Sequence, residues 1–238
     1  MPPDSRLSID SALASMYRTF VRYRPAGSIE HSPLKPHGIV APLETKPLQA
    51  LDAADLCGYS GSAIWTVGTE SDFKYFFPRI AELAIYQVVG SATWDSWLER
   101  LVPALSSSDE VSAIQTFLRA IWSTISESYW NPYQIDVVDL IYAVSSLFPS
   151  LEEFLAVFEP CATRAAVLHL TDLCIVGPNH MAPQGKPHGA LQAWFQCKAL
   201  PVITDATTRF PPTNIDDELA FERAVAAAYR CSMSAANA

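Results

Sequence analysis

Apolar residues recur at intervals of three and four along nearly the whole chain, and alternation at intervals of two is almost absent. The pattern predicts a first helix from Ile9 to Tyr23, with Leu13, Met16, Tyr17, Phe20 and Val21 on one face and Ser8 or Asp10 as its cap. Pro25, Gly27, Pro33, Pro36, Gly38 and Pro42 then break regular structure, giving a long loop over 24–46. A second helix is expected from Pro47 to about Tyr59, and a third from Phe73 to Val89, opened by Ser71-Asp72 and containing Pro78 in its first two turns. Thr93 is placed to cap a helix from Trp94 to Leu101, and Ser108-Asp109-Glu110 to open a long one from Val111 to about Ser126.

After the break at Asn131-Pro132, the β-branched run 135–148 is long enough to favour helix over strand. Ser150 with Glu153 has the spacing of a capping box for a helix over 151–158. Further helices are expected over 163–175, 191–200 and 214–232, with Pro201-Val202-Ile203-Thr204 as the best strand candidate. Nine or ten helices joined by short breaks imply an all-α fold. It is expected as a multi-helix array of antiparallel helical hairpins in the HEAT-like manner, or as an irregular bundle. No repeat of fixed period marks the chain, and no linker divides it, so residues 1–238 read as a single helical domain.

The segment from Trp65 to Ile80 holds Trp65, Gly68, Asp72, Phe73, Phe76, Phe77, Pro78 and Arg79 in close succession. Its physical reading is structural. Gly68 permits a turn, Ser71 or Asp72 caps a helix, the phenylalanines and Ile80 pack inward, and Arg79 pairs with Glu82 or with carbonyls. The block also resembles one in a group of mostly helical bacterial proteins of no known activity, which reads roughly Thr-Trp-Gly, a spacer, Asp-Phe, two variable residues and Phe-Leu-Pro-Arg. The resemblance covers about residues 12–86. Members of the group often carry a Cys-x-x-Cys element where this chain has Glu30 to His37, without cysteine. The resemblance implies a helical fold and no particular reaction.

Composition changes the picture chiefly through charge. Sixteen basic residues stand against 25 acidic ones in 238, a net charge of −9. That excess argues against nucleic acid as the main partner. The interval between Arg119 and Arg164 contains no Lys or Arg, but does contain Glu127, Asp136, Asp139, Glu152, Glu153 and Glu159. These carboxylates are the candidate partner-binding residues, because an acidic face attracts and steers a basic protein. No apolar run reaches membrane-span length, and no apolar leader follows Met1. Five cysteines without an export signal read as reduced thiols in a cytoplasmic protein.

Catalytic motifs are wanting. Gly58-Tyr59-Ser60-Gly61-Ser62 lacks the final glycine of a nucleophile elbow, and Gly185-Lys186-Pro187 lacks the hydroxyl of a phosphate loop. No dinucleotide fingerprint, His-Glu-x-x-His or EF-hand loop occurs, so no cofactor is implied. A metal set of His180, His188, Cys174 and Cys197 has suitable ligand types at spacings that match no zinc signature. His169, one turn from Asp172 and close to Cys174, reads as a core histidine.

The leading expectation is a non-enzymatic protein-binding module, with an immunity-type inhibitor of a basic toxin as its concrete form. The alternative is a metal- or small-ligand-binding protein or enzyme, with a pocket between the loops 177–189 and 25–46. A third is a structural protein whose apolar surfaces are covered by copies of itself.

Overall fold

The computed structural model of the chain describes residues 8–86, 89–90, 92–127, 129, 135–158, 163–179 and 189–236. Among these residues the fold is all-α: twelve α-helices, short 3-10 turns and two isolated β-bridges, with no strand. The helices form a multi-helix array that divides into two compact units. The first ends at Ile121 and the second begins at Trp122, with Ile135 grouped with the first.

The first unit contains α1 (Ile9–Phe20), α2 (Ala41–Thr45), α3 (Ala53–Ser60), α4 (Glu70–Tyr86), α5 (Trp94–Ala104) and most of α6 (Ser108–Glu127). Local capping chemistry sets several of the starts. The Ser11 N–H donates to the Ser8 hydroxyl at 3.2 Å, and Thr93 exchanges bonds with Ser96 in a capping box. The helix expected from Pro47 starts later: residues 48–50 make a 3-10 turn, and α3 begins behind Asp52, which forms a capping box with Asp55. The loop 24–46 is also less irregular than its prolines suggest, because it contains α2 and a 3-10 turn at 37–39.

Pro78 lies in the middle of α4, not in its first two turns, because that helix begins at Glu70. The buried ring takes a position where a backbone N–H is missing from the helix ladder. α4 packs against α1, α3 and α5, and Phe73, Phe76, Phe77 and Ile80 are fully buried along it. Tyr59 meets Phe76 edge to face at 5.2 Å between ring centres. Each such side chain removed from water contributes about 2–3 kcal/mol, which is why α4 carries the core.

Gly90 follows α4 with φ +72°, and a Cβ there would lie 2.7 Å from the Cys57 carbonyl oxygen and 2.9 Å from the Ser60 hydroxyl. That hydroxyl donates to the Val89 carbonyl at 3.0 Å, so the backbone cannot simply move away. Gly90→Ala is therefore expected to destabilise the first unit by about 2 kcal/mol, seen as a lower urea midpoint with an unchanged slope.

The second unit holds the last turns of α6 with α7 (Val137–Ser145), α8 (Glu152–Leu155), α9 (Arg164–Val176), α10 (Gly189–Cys197), α11 (Ala199–Arg209) and α12 (Ile215–Ala236). α12 packs against α9, α10 and α11, and α7 against α9. Trp122, Phe148, Phe154 and Phe158 form an aromatic cluster, in which the Trp122 indole donates to the Phe154 carbonyl at 3.0 Å.

Two expectations fail here for physical reasons. Ser150 and Glu153 make no capping box: α8 is a single turn with Leu151 at its cap, and the Ser150 hydroxyl accepts from the Glu152 N–H at 3.2 Å. Residues 201–204 form no strand. They lie in α11, where Pro201 falls in the first turn and its missing N–H costs nothing. The β-branched run after Asp136 is the helix α7, buried almost all round.

Candidate functional site

The block from Trp65 to Arg79 builds one corner of the first unit. Asp72 accepts from the Thr69 N–H at 2.7 Å and from its hydroxyl at 2.8 Å, and so closes the start of α4. Gly68, at φ +69°, donates its N–H to the Glu30 carbonyl at 2.6 Å, and Ser32 donates to the Thr66 carbonyl at 2.8 Å. Ile64 also holds positive φ, 71°, an uncommon conformation for a β-branched residue that the surrounding bonds impose.

Arg100, reaching from α5, explains how that loop is held. Its guanidinium donates to the carbonyls of Ser96 at 3.0 Å, Ala63 at 3.2 Å and Ser60 at 2.7 Å. The Trp65 and Phe73 rings lie 5.0 and 5.2 Å from it. Trp65 is itself 66% exposed, while Arg100 beneath it is buried. The Tyr59 hydroxyl is buried with no hydrogen-bond partner among the described residues, and burial, with the Asp72 charge adding to it, raises its pKa well above the ordinary value.

Arg79 does two jobs at once. It donates to Glu82 and to the Leu51 carbonyl, both at 2.7 Å, while Tyr17 of α1 donates to the same Glu82.

A second polar cluster gathers on Glu110, whose side chain is fully buried. Lys74 lies 3.0 Å from it, the Ser106 N–H donates at 2.9 Å, and Arg22 and Tyr23 also donate to it. Burial works against its charge, but the bonds from Tyr23, Ser106, Lys74 and Arg22 outweigh burial and hold its pKa down to about 2. In the sequence Glu110 looks like an ordinary acid in a helix's first turn; only the fold shows its partners.

In the second unit Tyr129 donates to Asp172 at 2.7 Å, and the His169 Nε2 lies 2.8 Å from the Ile125 carbonyl. Burial, partly offset by the Tyr129 bond, raises the pKa of Asp172, and burial with the Asp172 bond raises that of Tyr129. The group ties residue 129 to α9, and Cys174 on the same helix is buried.

The acidic residues do not share one role. Asp136 caps α7, accepting from the Val138 N–H at 2.7 Å, and Asp139 stands in that helix's first turn. Glu152 and Glu153 are exposed at the start of α8. The Glu127 side chain and Glu159 lie outside the described residues, as do His180 and His188. Cys197 is exposed at the end of α10, and among the described residues no group of three or more His, Cys, Asp or Glu could hold a metal ion.

What the structure adds is a cavity of about 400 Å³ between α8 and α10. Leu151, Leu155, Ala193 and Trp194 line it, with Glu152 and Lys198 also on its wall. Its walls are mainly apolar, and one of the sequence-derived acids stands on it. The size is that of a site for a side-chain cluster or a small molecule. Ala193 is exposed within it, so a larger side chain there would fill the cavity without entering the core. No helix among the described residues is long and apolar enough to cross a membrane. No protein-family model matches the chain, and comparisons with curated proteins and with solved structures find no similar one.

Proposed function

We propose that the chain is a non-enzymatic protein-binding module whose second unit receives a basic segment of another protein. One observation carries this reading: the apolar cavity between α8 and α10 has Glu152 on its wall, with Glu153 beside it in the same turn, so two carboxylates stand against the one lysine of the lining, Lys198. An apolar floor supplies affinity for an anchoring side chain, and a carboxylate at the edge selects a neighbouring Lys or Arg. The net charge of −9 speeds the arrival of a basic partner. In its most specific form the partner is a basic toxin and this chain its immunity-type inhibitor.

The test is a pull-down from native lysate with mass spectrometry, comparing three forms of the protein. The wild type is expected to retain a basic protein at about 50 mM salt and to release most of it at about 0.5 M. Glu152→Lys with Glu153→Lys should weaken retention at least ~10-fold, and Ala193→Trp should do so without altering charge. A partner held equally by all three forms would show that binding lies elsewhere. Release of a small molecule from the wild type, but not from Ala193→Trp, would assign the cavity to a ligand instead.

A further inference from the structure

Two histidines meet in the first unit. His31 and His37 flank a turn over 32–35, closed by the Lys35 N–H, which donates to the Ser32 carbonyl at 2.9 Å. His31 is held from outside the turn by a β-bridge to Val67. His37 opens the 3-10 turn 37–39, and its carbonyl accepts from the Val40 N–H at 3.0 Å. The backbone is thus fixed on both sides, and the two imidazole rings lie 5.6 Å apart between centres, tilted by 44°.

We propose that His31 and His37 together bind a divalent metal ion of the zinc, nickel and copper class. Distance is the first reason. Zinc sits about 2.0–2.1 Å from an imidazole nitrogen, so two rings sharing one tetrahedral ion have centres about 5 Å apart. A small side-chain rotation brings the observed pair to that geometry. The proton on His31 is the second reason. Its Nδ1 lies 3.4 Å from the Ile29 carbonyl, which can only accept, so Nδ1 carries the hydrogen and Nε2 keeps its lone pair. A backbone carbonyl behind the ring is the common support of a metal-binding histidine. His37 is exposed, and its ring makes no hydrogen bond among the described residues, so its lone pair faces water. The cation within the turn is drawn aside: the Lys35 ammonium donates to the Ser62 hydroxyl at 3.1 Å. No third His, Cys, Asp or Glu joins the pair among the described residues. Water therefore completes the coordination, and the ion exchanges with solvent. Ligands that are nitrogen alone favour this class over magnesium and calcium, which take oxygen. The site belongs to the first unit, and the α8–α10 cavity to the second, so each reading fails without the other.

The experiment is equilibrium dialysis of the full, reduced chain against Ni²⁺ from about 1 μM to 1 mM. Nickel is the probe because the exposed thiols of Cys57 and Cys197 compete for zinc. The wild type is expected to hold one ion at this pair. Two-point attachment makes the tight site depend on both rings, so His31→Gln and His37→Gln should each weaken it at least ~10-fold, and the double variant little more. Because His37 is exposed, His37→Gln should leave the circular dichroism spectrum and the urea midpoint unchanged. Magnesium at about 10 mM should not displace the nickel. Nitrogen-15 NMR of the metal-free protein should find the His31 hydrogen on Nδ1. A wild type that binds no nickel below 1 mM overturns the proposal. So does binding that His37→Gln leaves at full strength, which would place the ion on other groups. Single substitutions that halve the number of ions bound, with affinity unchanged, would mean two independent histidines and overturn it equally.

Discussion

Replacing Glu110 by glutamine is expected to destabilise the first unit by about 3 kcal/mol at pH 7. The amide keeps the shape and an acceptor but removes the charge that Lys74 and Arg22 face. Lys74 is 5% exposed, so its ammonium would be left in the interior without a counter-charge. Lys74→Met in the same chain should recover part of the loss, because it withdraws the stranded cation. The wild type supplies a second readout in pH. The carboxyl ionises at about 2 in the folded protein against an ordinary 4.5, so its folded-state pKa is depressed. Its contribution is complete above about pH 5 and disappears as pH falls towards 2. The glutamine variant should show a flatter stability curve over that window, and two parallel curves would refute the assignment.

The second large effect is expected at Arg100. Arg100→Leu removes three hydrogen bonds at once and leaves the Ser60 and Ala63 carbonyls without this donor in a buried region. Each such orphaned group costs about 1–3 kcal/mol, so a total near 4 kcal/mol is expected by chemical denaturation. Arg100→Lys should rescue little, because one ammonium cannot replace a planar fork reaching three carbonyls. Limited proteolysis gives the local readout. The wild-type loop 61–69 should resist cleavage, and the Arg100→Leu loop should be cut there first, before the helices melt. Global unfolding without early cleavage in the loop would mean that Arg100 supports the core more than the loop.

The helical architecture is legible in the sequence because it depends on local signals. Ser8, Thr93, Thr163 and Asn214 are polar residues just before an apolar period, and each caps its helix as that chemistry requires. Misreadings arise where the local signal is ambiguous. Pro201 followed by β-branched residues looks like the start of a strand, yet a first helical turn accommodates the same residues. Ser150 and Glu153 have the right spacing for a capping box, but the chain turns after Leu151, and the spacing acquires no meaning.

The candidate site is legible only in part. Glu152 and Glu153 stand out as acids in a stretch without bases, whereas Ala193, Trp194 and Leu155 acquire significance only when α10 lies beside α8. The Glu110 cluster draws on Arg22, Tyr23 and Lys74, whose separation along the chain hides them from any motif. The meeting of His31 with His37 is invisible for another reason. Two histidines in a proline-broken stretch do not reveal that one folds back towards the other until the turn between them is known.

Arg100 grips the start of the loop 61–69 through the backbone oxygens of Ser60, which ends α3, and Ala63, and so does not read the identity of most side chains there. The path of the chain is fixed at Ile64 and Gly68 by conformation and beneath Trp65 by the guanidinium, while the Trp65 ring projects into solvent. Within this tip the demand on side-chain identity falls on Gly68, which holds a positive φ, and on the buried Ala63 and Val67, and least on the exposed Trp65. Trp65 thus offers an exposed position for a reporter group or a grafted recognition residue above the Arg100 guanidinium.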